Sequence, residues 1–457
     1  MGKKTSVSCP MTKDLLMQYT FIALCILAAV SLISFGLDSL IISAISVLVA
    51  VACDYLLSLV MGKKGPLDTM SAAVFGLIVA MSYSLGMAPA MATEEFSILG
   101  GPGIDKYLYP ALISAVGLIV FKKIQGLAGR KYVNPAAIAK LLIIGLLITV
   151  PSSALIPSDH MGVDLLNPLT ESAFGGEPFY PMDTSFFGST LVSCYGDPNL
   201  DPMNPYTYGS FEDPLPDVLY TMILQKYHGW IGGVSSIAVI AVGLALFALC
   251  RGYIKWRITL VYFVTTVLLS IGMGYVYGGD IILRLIFHLF TGSSMFLAFF
   301  MATDPATTPM TRLGQIIFGA GLAILTMIIQ AYTGFLGGSI LALVMMNPTT
   351  PLLDRIGVPK PSETRIKMKL PKAKKFASTR ATDCIRCGQC LVSCCMNLSP
   401  ISIKEAIDRQ NWEKAKSLGL EYCDACGHCS YVCPARIDLK TAIVAAKEKM
   451  QTMRANA

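Results

Sequence analysis

Cys384-Ile385-Arg386-Cys387-Gly388-Gln389-Cys390-Leu391-Val392-Ser393-Cys394 is echoed further on by Cys423-Asp424-Ala425-Cys426-Gly427-His428-Cys429-Ser430-Tyr431-Val432-Cys433-Pro434. Both runs have the spacing C-x2-C-x2-C-x3-C, in which three thiolates of one short turn face a single iron cube and the fourth reaches the other. The pattern predicts two 4Fe–4S clusters, one on Cys384, Cys387, Cys390 and Cys433, the other on Cys394, Cys423, Cys426 and Cys429. Structural zinc fits less well, because it uses two C-x2-C pairs and has no need of a third thiolate in the same turn. Cys395 stands where proline would usually follow the fourth ligand, leaving a spare thiol, and spacing favours Cys394 as the ligand.

Between the two sets, 401–418 reads as helical, with Ile403, Ala406, Ile407, Ala415 and Leu418 as an apolar stripe. The expected unit over 382–457 is therefore a small α-helical ferredoxin domain. Upstream lies a basic linker, 355–381, with Lys360, Arg365, Lys367, Lys369, Lys372, Lys374, Lys375 and Arg380. Such a juxtamembrane stretch suits an anionic lipid surface, and nothing about it calls for nucleic acid.

Everything before the linker reads as membrane. A chain 54% hydrophobic and only 14% charged is too apolar to cover a soluble protein of this length. Apolar runs recur over 15–36, 39–61, 70–89, 107–121 and 135–150, and again over 232–250, 257–275, 282–301, 313–332 and 338–352. Each spans or nearly spans a hydrocarbon core about 30 Å thick, so about ten transmembrane helices are expected. The first run is too long for the apolar core of a signal peptide, and no small-residue cleavage site follows it. Two sets of five separated by a polar insertion suggest two five-helix repeats, 1–150 and 232–354. Such repeats place broken helices about a central site. Asn134-Pro135-Ala136-Ala137 and Ala302-Thr303-Asp304-Pro305 are the breaks, where proline starts or interrupts a helix; plain N-capping is the simpler account of each.

The orientation follows from Lys and Arg. Lys13, Lys63, Lys64, Lys122, Lys123, Arg130, Lys131, Arg251, Lys255, Arg257, Arg312 and Arg355 fall in alternate loops, which the positive-inside rule assigns to the cytoplasm together with both termini. Eight thiolates held ready for metal also suit a reducing compartment. The acidic, aromatic insertion 151–231, with Phe179, Tyr180, Phe186, Phe187, Tyr195, Tyr206 and Tyr208, is then outside a cytoplasmic (inner) membrane. Its aromatic content argues for packing rather than disorder. Ionisable residues within spans are costly and often functional, and Asp54, Lys140, Arg284 and His288 are the candidates; snorkelling or bundle hydrogen bonds account for such residues near span ends.

Ile385-Arg386-Cys387-Gly388 and Cys426 through Pro434 resemble the ferredoxin module of the C subunit of Rnf electron-transport complexes. The membrane part resembles their D subunit, related to the B subunit of the Na+-translocating NADH:quinone oxidoreductase. The residues that carry this are Asn134-Pro135-Ala136-Ala137, Lys255-Trp256-Arg257-Ile258, the run from His288 to Pro305, Met346-Asn347 and Pro351-Leu352-Leu353-Asp354. The resemblance implies FMN esterified to a threonine in the outer region. The nearest match is Phe187-Gly188-Ser189-Thr190, preceded by Asp183, which makes Thr190 the expected attachment residue, ahead of Ser189. A second, non-covalent flavin is a further expectation of the same kind. A neighbouring family pattern, Gly-x-x-Gly-Glu, appears as Gly229-Trp230-Ile231-Gly232-Gly233, without the carboxylate.

The function implied is that of a membrane subunit in an ion-translocating ferredoxin:NAD-type oxidoreductase. Electrons would pass between cytoplasmic clusters and an outer flavin, coupled to Na+ or H+ movement, with soluble ferredoxin or a cytoplasmic redox subunit among the partners. No G-x-G-x-x-G fingerprint follows a strand, so NAD chemistry is expected in another subunit. The alternatives are a stand-alone membrane conduit to a quinone or external carrier, and a transporter that the cluster unit only regulates.

Overall fold

The computed structural model describes residues 11–60, 69–85, 105–124, 131–149, 223–224, 229–277, 281–290, 294–333, 338–358, 361 and 382–455. Helices dominate them. The N-terminal part contains α1 (Lys13–Phe35), α2 (Leu37–Val60), α3 (Thr69–Met81), α4 (Asp105–Val116, with a π-helical continuation Gly117–Ile124) and α5 (Pro135–Thr149). After the insertion come α6 (Ser236–Leu249), α7 (Trp256–Tyr277), α8 (Ile281–Phe290), α9 (Ser294–Phe296, running into π-helical Leu297–Met301), α10 (Arg312–Thr333) and α11 (Gly338–Met346, extended through Asn347–Thr349 into Thr350–Leu353).

Lys13–Ile33, Leu37–Val60, Tyr107–Ile124, Trp256–Val276 and Arg312–Gln330 are long and apolar enough to cross a membrane; Thr69–Met81, Ser236–Leu249 and Gly338–Leu353 are apolar but shorter. Their surface is inverted relative to a soluble protein. Ile33 is 74% exposed and Val60 85%, whereas Ser31, Ser39, Ser43 and Ser46 are buried. Lipid tails are as apolar as leucine, so the large side chains lose nothing outside, while small residues let helices approach within. Two of these hydroxyls return bonds to their own helices, Ser31 to Ala28 O at 2.7 Å and Ser43 to Ser39 O at 2.7 Å. At Gly76 a Cβ would meet the Ser46 carbonyl of α2 at 2.5 Å, so α2 and α3 can cross this closely only because a glycine is there. This part of the chain is a multi-pass membrane domain.

Helix starts follow capping chemistry. Thr12 accepts the Leu15 N–H at 3.2 Å to open α1. Asn134 accepts the Ala136 and Ala137 N–H groups at 3.1 and 3.2 Å to open α5, with Pro135 in the first helical position. Its amide also donates to Met301 O at 3.3 Å, tying α5 to the end of α9. Asp304 accepts from the Ala306 N–H and the Thr307 hydroxyl. The first break is thus built as a helix cap, and the second as a turn that follows the end of the π-helical segment.

The run expected over 70–89 is helical only to Met81. Beyond it, β1 (Ser84–Leu85) pairs antiparallel with β2 (Gly229–Trp230), and Tyr83 O accepts the Ile231 N–H at 2.9 Å, so the backbone leaves the helix to bond with the segment before α6. Within the run over 282–301, α8 and α9 are helical, and 291–293 lie outside the described residues. Trp230, Phe296 and Phe300 form an aromatic cluster, with Phe296 and Phe300 stacked at 5.1 Å and Trp230 edge-on to Phe296 at 6.1 Å.

The C-terminal unit holds α12 (Gln389–Val392), α13 (Pro400–Asp408), α14 (Trp412–Ser417), α15 (His428–Tyr431) and α16 (Leu439–Ala455). The single helix expected over 401–418 is two. Gln410 takes a left-handed φ of 56°, and Asn411 then opens α14 by accepting the Lys414 N–H at 2.9 Å. Leu398, Ile401, Ile403, Ala415, Leu420 and Ile443 are among the residues of its small core.

Candidate functional site: two thiol-lined recesses

Cys384, Cys387, Cys390 and Cys433 line one recess, together with Met310, Ile385, Arg386 and Ile401. Cys394, Cys423, Cys426 and Cys429 line a second, together with Met396, Leu398, Asp424 and Lys440. The fourth cysteine of each run thus lies with the trio of the other. Cys395 also borders the second recess, its sulfur 3.5 Å from that of Cys426.

The two recesses are copies of one loop design. Arg386 and Ala425 occupy equivalent positions with φ of 54° and 53°, Gly388 and Gly427 both have φ of 77°, and Asn397 and Arg436 have 52° and 56°. Each left-handed turn folds the chain back so that three sulfurs share one side. The Arg386 N–H points at Cys384 Sγ at 3.4 Å, the backbone contribution such a loop makes toward a negatively charged sulfur.

Burial pushes the Cys387 thiol up to about 12, against an opposing hydrogen bond from the Gln389 backbone. Cys429 is pushed to about 12 by burial and then by Cys423, and burial raises Cys390 well above the ordinary thiol value. Without metal these groups keep their protons at neutral pH. Any metal they bind must displace those protons, so binding weakens in acid. Among the described residues, no three His, Cys, Asp or Glu side chains come together closely enough to hold a single metal ion.

The first recess is closed by the membrane domain. Ile385 and Cys387 pack into the core of the helix bundle, while Met310 from the α9–α10 connection packs into the core of the C-terminal unit. Asp354, just past α11, accepts the Met310 N–H at 2.7 Å on one oxygen and the Arg386 guanidinium at 3.1 Å on the other. Arg386 also donates to Glu405 at 2.6 Å. The Lys255 ammonium, at the start of α7, donates to Pro305 O at 2.8 Å, Thr308 O at 2.7 Å and Thr308 Oγ1 at 3.0 Å. Three acceptors use all three ammonium protons, which fixes the connection that carries Met310. The Lys13 N–H adds a further tie, to Pro434 O at 3.1 Å.

A family model described as the NQR2, RnfD, RnfE family matches residues 2–97 and 102–363. The chain belongs to this family. It is similar to the D subunit of the Na(+)-translocating ferredoxin:NAD(+) oxidoreductase complex of Acetobacterium woodii, 28% identical over 340 residues covering 74% of this chain and 87% of that protein. The D subunit of the proton-translocating ferredoxin:NAD(+) oxidoreductase complex of Clostridium ljungdahlii is 27% identical, covering 79% of this chain and 94% of that protein. The D subunit of the ion-translocating oxidoreductase complex of Pectobacterium atrosepticum is 34% identical, covering 60% and 78%. The family match ends before Cys384, so the C-terminal unit lies outside it.

The other candidates of this NQR2, RnfD, RnfE family member fall in several places. Asp54, buried in α2, pairs with Lys123. Lys140 in α5 is buried, donates to Ser82 O and sits 4.3 Å from the centre of the Trp230 ring. His288 is buried in α8, the helix that also contains Arg284. Thr190, Ser189 and Asp183 lie outside the described residues, as do most of the 151–231 insertion and of the 355–381 linker. Sequence reasoning missed Met310 and the roles of Lys255, Asp354 and Arg386 at the first recess. Arg386 was visible as the one charge inside the cysteine runs' tight C-x2-C turns besides Asp424, but its partner is distant in sequence.

Proposed function

We propose that the chain is a membrane subunit of an Rnf-like ion-translocating electron-transport complex whose C-terminal ferredoxin domain carries two 4Fe–4S clusters. The observation that carries this reading is the convergence of four thiols on each of two recesses, in a unit attached to a membrane domain of the NQR2, RnfD, RnfE family. Such clusters accept and release single electrons. The chain's own residues hold them: the left-handed turns aim the sulfurs, the apolar linings exclude water, and Met310 covers the first recess.

In this reading the membrane domain has ten spans in two five-helix repeats, both termini are cytoplasmic, and the 151–231 loop carries FMN at Thr190 on the outer side. The complex couples electron flow between ferredoxin and an acceptor such as NAD to Na+ or H+ movement, with the nucleotide site in another subunit. Moving one charge against 100 mV costs about 2.3 kcal/mol. A two-electron drop of about 50 mV supplies that much, at about 1.4 kcal/mol per 30 mV.

The test is the purified full-length protein in its native complex. Chemical analysis should give about eight irons per chain, and electron paramagnetic resonance of the reduced protein two interacting signals. Zinc in place of iron, or a redox-silent protein, defeats the reading. Ultraviolet fluorescence of the denatured polypeptide should persist and vanish in Thr190→Ala; fluorescence retained in that variant moves the flavin to another residue.

A further inference from the structure

The two cysteine loops provide an internal control for one side chain. Arg386 and Ala425 occupy equivalent places with nearly the same φ, 54° and 53°, so the loop reaches its shape with or without a guanidinium. Yet Arg386 is almost fully buried and bonded on two sides, to Glu405 of its own unit and to Asp354 of the membrane domain. Burying a charge is costly unless it is paired, and a planar guanidinium presents its N–H groups in a fixed fork that reaches two carboxylates on different sides. Asp354 is itself engaged on its other oxygen by the Met310 N–H. One chain of bonds therefore runs from the connection beneath the first recess, through Asp354 and Arg386, to the helix that carries Glu405. Gly388 adds the steric side of the fit, since a Cβ there would stand 3.3 Å from Met310 O. Among the described residues, the second recess is lined by residues between Cys394 and Ile443.

We propose that Arg386 is a positioning residue that fixes the first recess against the membrane domain. Electrons then pass between the C-terminal unit and the membrane domain by the Cys384/Cys387/Cys390/Cys433 cluster, and the Cys394/Cys423/Cys426/Cys429 cluster exchanges with an external redox partner. The electron-transfer part of this rests on the cluster reading above; the docking part does not. The unit is a fixed relay and not a swinging carrier. Its two clusters stand in series, the second toward the partner and the first toward the bilayer.

The experiment is hydrogen–deuterium exchange on the full-length protein in its complex, comparing wild type with Arg386→Met and Asp354→Asn. Asparagine keeps an oxygen for the Met310 N–H while removing the charge that Arg386 meets. Exchange should rise at least tenfold in both variants, and in both the segment around Met310 and that around Arg386 should open together, while the Cys423–Cys433 loop stays as in wild type. Arg386→Lys should recover part of the protection. Iron content should stay at the wild-type level, and electron transfer from the reduced clusters to protein-bound flavin should slow at least tenfold. Unchanged protection in both variants overturns the proposal. So does opening confined to the Arg386 loop with Asp354→Asn silent, because that is what a purely loop-internal role produces. If Arg386→Met does not assemble, Asp354→Asn, which leaves the cysteine loop intact, decides alone. A wild-type protein without iron defeats the cluster reading, and the exchange data still report on docking.

Discussion

The two recesses share cysteine spacing and turn geometry, and they differ in what closes them. The first is sealed by Met310 from the membrane domain and tied to that domain by the pairing of its own Arg386 with Asp354; the second is closed by local side chains and bordered by a fifth thiol, Cys395. A duplicated loop has thus been specialised by few residues: arginine against alanine between the first two cysteines, and cysteine against proline after the last. The fold of each loop belongs to the repeat, and the place of each loop in the protein belongs to the exceptions.

The equivalent glycines give the largest test of that distinction. Alanine at either Gly388 or Gly427 must adopt a φ of 77°, and a left-handed residue with a Cβ costs about 1–2 kcal/mol. At Gly427 the new methyl meets the Lys440 side chain, which can move. At Gly388 it meets the Met310 carbonyl, held by the Asp354 contact to its own N–H and by the Lys255 bonds nearby. Overpacking of this sort adds about 1–3 kcal/mol. Thermal loss of cluster absorbance in the full-length protein should therefore fall further in temperature for Gly388→Ala than for Gly427→Ala. Equal shifts would mean that the first recess is not pressed against the membrane domain.

A smaller difference lies at the helices that follow the loops. Asp438 caps α16, accepting the Thr441 N–H at 3.1 Å and the Thr441 hydroxyl at 2.6 Å, whereas its counterpart Ser399 before α13 bonds only to the Ser402 hydroxyl, at 2.7 Å. Removing a capping side chain costs about 1 kcal/mol. Asp438→Ala should lose about that much and Ser399→Ala less. The Thr441 bonds, hydroxyl first, hold the Asp438 carboxyl below its usual range. A carboxylate so lowered stabilises the fold above its unfolded value of about 3.9, and that contribution disappears as pH falls through the lower folded value. The gap between the two variants should accordingly be full at pH 7 and close only in strong acid; a gap already closed at pH 6 would remove Asp438 from the account.

Much of this was legible in residue order, because the chemistry was local. The C-x2-C-x2-C-x3-C spacing implied which four thiols share a recess, and both Asn134-Pro135 and Asp304-Pro305 mark breaks, the first a helix cap and the second a turn. What periodicity missed was decided by contacts between distant segments. The helix over 70–89 ends at Met81 because Tyr83 O and Ser84 find partners around Trp230, far along the chain. The helix over 401–418 breaks because Gln410 and Asn411 supply a left-handed turn and a cap within an otherwise apolar stripe. The docking of the first recess was illegible for the same reason: Asp354 and Arg386 meet across the linker, and no spacing rule joins them.

The smallest predicted effect concerns Cys395. Proline occupies the matching place in the other run, so a thiol here is no requirement of the turn. Burial pushes the Cys395 thiol up to about 12, so it keeps its proton at neutral pH beside Cys426, 3.5 Å away. A protonated thiol next to a ligating thiolate is a weak hydrogen-bond donor, and donors to cluster sulfurs belong among the factors that set reduction potential. With the proposed cluster bound, the bond would strengthen as negative charge accumulates on reduction and so would raise that cluster's potential. Cys395→Ala should then lower the midpoint of one cluster while iron content and the other midpoint stay at wild-type values in a redox titration followed by electron paramagnetic resonance. Loss of about four irons would instead make Cys395 the ligand in place of Cys394, and a shift shared by both clusters would show that the two recesses are not electrostatically separate.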